Sequence, residues 1–165
     1  NSTTTPRDLV NDLDVKIILM ALSESVASRL RENGFQCKVV EISIRDNELY
    51  HFSRQCKLKR PTNITDEIVQ VAYRLFKDNY RWEHPIRSLG VRGCDLVSDD
   101  MPYQLDLFIS EQKREKLEKM DQVVDEIRAR FGYQSIQRAF VYQDKLLAQL
   151  NAREHTVHPQ GYFHG

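Results

Sequence analysis

A chain of 165 residues with 24 basic and 24 acidic side chains has a formal net charge of +0, so overall charge does not mark it for nucleic acid. Apolar residues make up 41% and charged residues 29%, which excludes a disordered polymer and suits one globular domain, or one domain with an appendage. No run approaches the roughly 18–20 apolar residues a membrane helix needs, so no membrane partner is expected.

The opening NSTTTPRDLVND has no basic-then-apolar export pattern and no initiator methionine, and we expect a piece of a longer chain. Its NSTTT run is taken as a leading strand. NDLDVKIILMALSESVASRLRENG follows as a helix, with Val15, Ile18, Leu19, Leu22, Val26 and Leu30 recurring at three and four and Asn33-Gly34 as its stop. In CKVVEISIRDNELYHFSRQCKL, Val40, Ile42 and Ile44 alternate with Glu41, Ser43 and Arg45. After an Asp46-Asn47 turn, Tyr50 and Phe52 alternate with His51 and Ser53. This pattern predicts an antiparallel hairpin with one greasy and one polar face.

TDEIVQVAYRLFKDNY predicts a second amphipathic helix, with Thr65 as N-cap, Asp66 and Glu67 in the first turn, and Ile68, Ala72, Leu75 and Phe76 buried. Pro85 marks a break. IRSLGVRGCDL then reads as a strand with Leu89 and Val91 inward and Ser88, Gly90 and Arg92 outward. The order is β-α-β-β-α-β: an α+β fold on the split βαβ plan, with four strands and two helices on one face. Past Leu96 comes an acidic, proline-containing loop. A third helix is expected from Ser110 to Phe131 on a stripe of Leu117, Met120, Val124, Ile127 and Phe131, closed by Gly132. The tail suggests a strand at SIQRAFVY and a short helix around Leu146–Leu150.

Enzyme chemistry finds little footing. Asp12 and Asp14 sit where a helix start favours acids, and Asp99 and Asp100 lie in a loop without a third ligand. His155, His158 and His164 have loosely metal-like spacing but no cysteine partners. Glycine-rich phosphate loops and nucleophile elbows are missing. Cys37, Cys56 and Cys94 are odd in number, far apart and outside any C-x-x-C spacing, as in reduced thiols of a cytosolic protein.

Binding is better supported. Between Glu48 and Asp66 there is no acid, while Arg54, Lys57, Lys59 and Arg60 fall there. The polar sheet face offers hydroxyls from Thr3, Thr4, Thr5, Ser43, Ser53 and Ser88 and charge from Arg54, Lys57, Arg87 and Arg92, which suits phosphate oxygens. No aromatic pair decorates it, which argues against an RNA-binding module that stacks single-stranded bases. In MPYQLDLFISEQKR, Leu105, Leu107 and Phe108 crowd together behind Gln104, too briefly for a core helix and without strand alternation. Such a run fits a segment that another protein buries.

The order NSTTTPRDL, LSESVASRLRENGF, FSRQCKLKRPTNIT, PIRSLGVRGCDL, QLDLF and KMDQVVDEIRARFGYQSIQRA resembles the C-terminal part of a bacterial Y-family translesion DNA polymerase of the DinB/UmuC (ImpB/MucB/SamB) type, over essentially the whole chain. The resemblance implies a little finger DNA-binding domain over 1–97, a clamp-binding loop over 98–109, and a C-terminal helix and tail over 110–165. It implies DNA contacts at Thr3, Thr4, Thr5, Ser53, Arg54, Lys57, Arg87, Ser88 and Arg92, with Ser88 standing where many relatives have a second arginine. QLDLF resembles the pentapeptide that grips the bacterial sliding clamp, with Gln104, Leu105, Asp106, Leu107 and Phe108 as its residues; Gln104 would anchor by hydrogen bonds while Leu107 and Phe108 fill an apolar pocket. The implied partners are duplex or primer-template DNA, the clamp, and a polymerase core in the same parent chain. No cofactor is implied here; Mg²⁺ belongs to the parent's catalytic core, and this piece alone should be inactive. The implied setting is the SOS response in the cytoplasm, at the nucleoid. The alternative is a stand-alone DNA-binding adaptor that competes for the clamp.

Overall fold

Alternating strands and helices follow one another in the computed structural model, which describes residues 1–100 and 111–150. The elements are β1 (Ser2–Leu9), α1 (Asp12–Glu32), β2 (Phe35–Asp46), β3 (His51–Thr62), α2 (Thr65–Asn79), β4 (Ile86–Ser98), α3 (Glu111–Phe131) and α4 (Lys145–Ala148). Short 3-10 turns lie at Tyr133–Ser135 and Ala139–Gln143. The expected α+β class and β-α-β-β-α-β order are both present. All pairings are antiparallel and the sheet order is β1-β4-β2-β3. Hence β1 and β2 run parallel with β4 between them, and β3 and β4 run parallel with β2 between them. Both βαβ units are split.

The central strands are those with the richest apolar alternation. Val40, Ile42 and Ile44 of β2 and Ile86, Leu89 and Val91 of β4 are buried against the helices. The edge strands β1 and β3 carry threonines, lysines and arginines, as edges require.

α1 starts at Asn11, whose side chain accepts the Asp14 N–H at 2.9 Å, and ends at Gly34 with φ of +67°. It is buried beyond its expected stripe: Ile17, Ser23, Glu24, Ser25 and Ser28 are buried too. Glu24 is covered by Arg128 and Arg138, Ser25 accepts from Asn1 Nδ2 at 3.1 Å, and Val141, Leu147, Ala148 and Leu150 of the tail join the same core cluster as the helix.

Three expectations need correction. Thr65 is the first residue of α2 and not its cap; Ile64 stands at the cap and supplies no side-chain bond. The Thr65 N–H is met at 2.8 Å by the Asp121 carboxylate of α3. The α3 stripe is only part of its docking face: Leu117, Val124 and Ile127 are half-buried, but Met120 and Phe131 are 40% and 72% exposed and the fully buried side chains are Arg114 and Asp121. SIQRAFVY forms no strand; Val141 is drawn onto the core in a 3-10 turn, and the Ile136 carbonyl accepts from Arg128. The short helix is present as α4, capped by Asp144.

Candidate nucleic-acid interface

Because strand partners in one row point to the same side, the register fixes which side chains share the face turned away from the helices. One row crosses the sheet as Thr4, Ser88, Arg45 and His51. The next holds Ser2, Gly90, Ser43 and Ser53. Below them lie Arg92, Glu41 and Gln55, then Cys94, Val39 and Lys57.

The second row is made of small residues for a steric reason. A Cβ on Gly90 would overlap the Ser43 hydroxyl and come within 3.1 Å of the Ser2 Cβ. This row of small side chains, three of them bearing hydroxyls and here called the trough, is flanked on one side by Arg45 and His51 and on the other by Arg92. Arg92 is 69% exposed and lies 3.4 Å from Glu41, a surface pair that an incoming anion can compete for. Arg45 is partly buried and its Nε has no hydrogen-bond acceptor among the described residues.

Thr4, Ser53, Lys57, Ser88 and Arg92 of the expected contacts lie on this face. Thr3 and Thr5 do not: Thr3 sits opposite Leu89 on the helix side, and both are buried. The Thr5 hydroxyl donates to the Arg87 carbonyl at 3.0 Å. Arg54 is also on the helix side, opposite Ile42, where it donates to Asn79 Oδ1 at 3.2 Å and lies 5.0 Å from the Phe52 ring centre. Arg87 falls in an irregularity between Ile86 and Ser88 and turns to the Thr5 carbonyl and Asp8. Arg45 is the missed residue, although its alternation with Ile42 and Ile44 places it outward.

The basic stretch is thus divided. Lys57 joins the open face, Arg54 goes to α2, and Arg60 pairs with Glu111 at the start of α3. Asp12 and Asp14 separate as well. Asp14 takes a two-pronged contact from Arg7 at 2.7 and 2.8 Å, whereas Asp12 receives Trp82 Nε1 at 2.9 Å and pairs with Lys77. Among the described residues no group of three or more His, Cys, Asp or Glu is placed to hold a metal. Cys37, Cys56 and Cys94 are free thiols, and burial pushes the Cys37 pKa up to about 11. The candidate clamp residues Gln104, Leu105, Asp106, Leu107 and Phe108, and the tail histidines, lie outside the described residues.

The sequence model of the impB/mucB/samB family C-terminal domain matches residues 1–107. The chain belongs to this family. It is 46% identical over 150 residues to DNA polymerase IV of Acetivibrio thermocellus, an alignment covering 91% of this chain and 38% of that protein. It is 38% identical over 140 residues to DNA polymerase IV 2 of Bacillus subtilis, covering 82% and 33%. This impB/mucB/samB family chain therefore spans well under half the length of these relatives. Among solved structures it is similar to one described as the complex of the beta-clamp processivity factor and the little finger domain of PolIV. There the identity is 15%, the coverage 66% of this chain and 96% of that one, and the TM-score 0.47.

Proposed function

We propose that this chain is the DNA-gripping, clamp-tethering portion of an error-prone translesion DNA polymerase. The observation that carries the reading is the open sheet face, where a hydroxyl-lined trough lies between Arg45 and Arg92, with Lys57 beyond. Hydroxyls and guanidinium donors meet phosphate oxygens without reading bases. Arg45 stands in the same row as Thr4, Ser88 and His51, so any part of its guanidinium that reaches solvent adds positive charge to this face. The rows contain no Phe, Tyr or Trp on which single-stranded bases would stack, which favours duplex or primer-template DNA. Family membership supports the same reading, and QLDLF supplies the clamp anchor.

In this reading polymerisation, with its Mg²⁺ ions, belongs to a core elsewhere in the parent polymerase, which acts at the nucleoid in the cytoplasm. The chain itself contributes grip and tethering. It should bind duplex DNA without sequence preference, at the ~10⁻⁴ to 10⁻⁶ M typical of non-specific contacts, and weaken steeply with salt.

The test is a salt titration of fluorescent duplex binding. Arg45→Ala/Lys57→Ala/Arg92→Ala should lower both affinity and the slope against log salt. Arg54→Ala, a change on the helix side, should leave the slope in place. An unchanged slope in the triple variant, or its loss in the Arg54 variant, would overturn the assigned face.

A further inference from the structure

β3 is an edge strand. It pairs with β2 and, among the described residues, with no other strand, so one side of its backbone keeps its donors and acceptors unpaired by the sheet. Beside that edge a groove of about 580 Å³ separates β3 from α2. Its apolar floor includes Leu58 and Val71, both partly buried against the core. Lys57, Lys59 and Arg74 stand along it.

The charge of this groove is uneven. Glu67 is taken by Arg114 at 2.7 and 3.0 Å, and Arg60 is paired with Glu111. Lys57, Lys59 and Arg74 have no carboxylate partner among the described residues; Arg74 meets only the Cys56 sulfur, at 3.7 Å. An unpaired strand edge, an apolar floor and an unneutralised cationic rim occur together.

We propose that this groove docks an extended acidic segment of a partner protein, which adds to β3 as a fifth strand. Side chains at alternate positions of such a segment point the same way, so apolar ones would enter over Leu58 and Val71. Its carboxylates would meet the rim cations. A second copy of this chain is disfavoured, because pairing β3 with itself sets lysines against lysines. A nucleic-acid backbone could take the amide donors but has no use for the apolar floor or for the carbonyl acceptors that alternate with them. This surface lies at the sheet's edge and is distinct from the trough assigned to DNA, although Lys57 borders both.

The test therefore leaves Lys57 intact. A labelled peptide of about eight residues alternating Asp and Val is titrated into the chain by fluorescence anisotropy. The same peptide N-methylated at alternate residues, a Lys/Val peptide and duplex DNA are titrated in parallel. The Asp/Val peptide should bind and should slow amide exchange along β3. Lys59→Glu/Arg74→Glu should weaken it by about tenfold through like-charge repulsion, at unchanged melting temperature. The N-methylated and Lys/Val peptides should bind poorly. Failure of the Asp/Val peptide to bind, or equal binding of the N-methylated one, overturns strand addition. If the double variant loses DNA and keeps the peptide, the groove is a nucleic-acid site and the proposal falls. None of these outcomes touches the trough, whose failure is read from the Arg45, Lys57 and Arg92 variant.

Discussion

At Gly90 the reason for a residue is a single missing atom. Two strands approach so closely that a methyl group would displace the Ser43 hydroxyl and press on Ser2. Gly90→Ala should cost about 1–3 kcal/mol as an overpacked site, seen as a lower melting temperature. It should also weaken duplex binding by filling the trough; a variant of wild-type stability would show that the strands have room. The outward turn of Ser88, Gly90 and Arg92 was legible because Leu89 and Val91 fix the phase of their strand. Thr3, Thr4 and Thr5 had no such marker, since a run of one residue type carries no phase, and two of the three face the core. Arg54 had one: two residues after Phe52, it must share that side chain's face.

Among the elements, α3 separates what spacing can and cannot tell. Its extent and its end at Gly132 were legible. Its docking face was legible only at Leu117, Val124 and Ile127, because the rest of that face is set by what awaits it. The N-terminus of α2 presents an N–H without a local cap, and Arg31 on α1 needs acids. Asp121 answers both, accepting Thr65 N–H at 2.8 Å and pairing with Arg31 at 3.2 Å, while Asp125 adds a second contact to Arg31 at 2.8 Å. A carboxylate at a helix N-terminus is favourable electrostatically as well. Asp121→Ala orphans a buried N–H and should cost about 1–3 kcal/mol, measured by urea unfolding. Asp121→Asn, which can still accept that bond, should recover part of the loss, and equal stability of all three chains would refute the cap.

The tail is clasped differently and gives a pH dependence. Arg7 of β1 reaches Asp14 of α1 and, at 2.6 Å, Asp144 at the start of α4. Burial alone would raise Asp14, but the Arg7 and Val10 hydrogen bonds outweigh it and hold its pKa below the ordinary value. Asp144 is lowered first by the Arg7 hydrogen bond and then by the Leu147 N–H. Carboxylates depressed in the folded state add stability that is fully present above their unfolded pKa of about 3.9 and is lost as pH falls through the lower folded values. Amide exchange at Leu147 should therefore be flat between neutral pH and about 5, once corrected for intrinsic rates, and should quicken below about 4 ahead of Ile42 in the central sheet. Loss of protection between neutral pH and 5 would point to another group.

Across the whole molecule, the sheet spends its helix face on the core and leaves the other open, the face proposed to meet a polyanion, while QLDLF follows where β4 ends and precedes the start of α3. If Leu107 and Phe108 gain their burial from the clamp, the fold should not depend on them. Fully burying such a side chain is worth roughly 1.5–3 kcal/mol, against an ordering cost of ~1–2 kcal/mol per residue. The pentapeptide alone should therefore bind modestly. DNA held on the same chain would raise its effective concentration at a clamp bound to that DNA. Leu107→Ala/Phe108→Ala should abolish binding to a bacterial sliding clamp and leave the melting temperature and the DNA salt slope where they were. Core packing predicts the reverse, since truncating two buried side chains costs several kcal/mol. Melting, clamp binding and DNA binding measured on that one variant decide the matter: lost stability with clamp binding retained would end the tethering role and leave the trough's DNA grip standing.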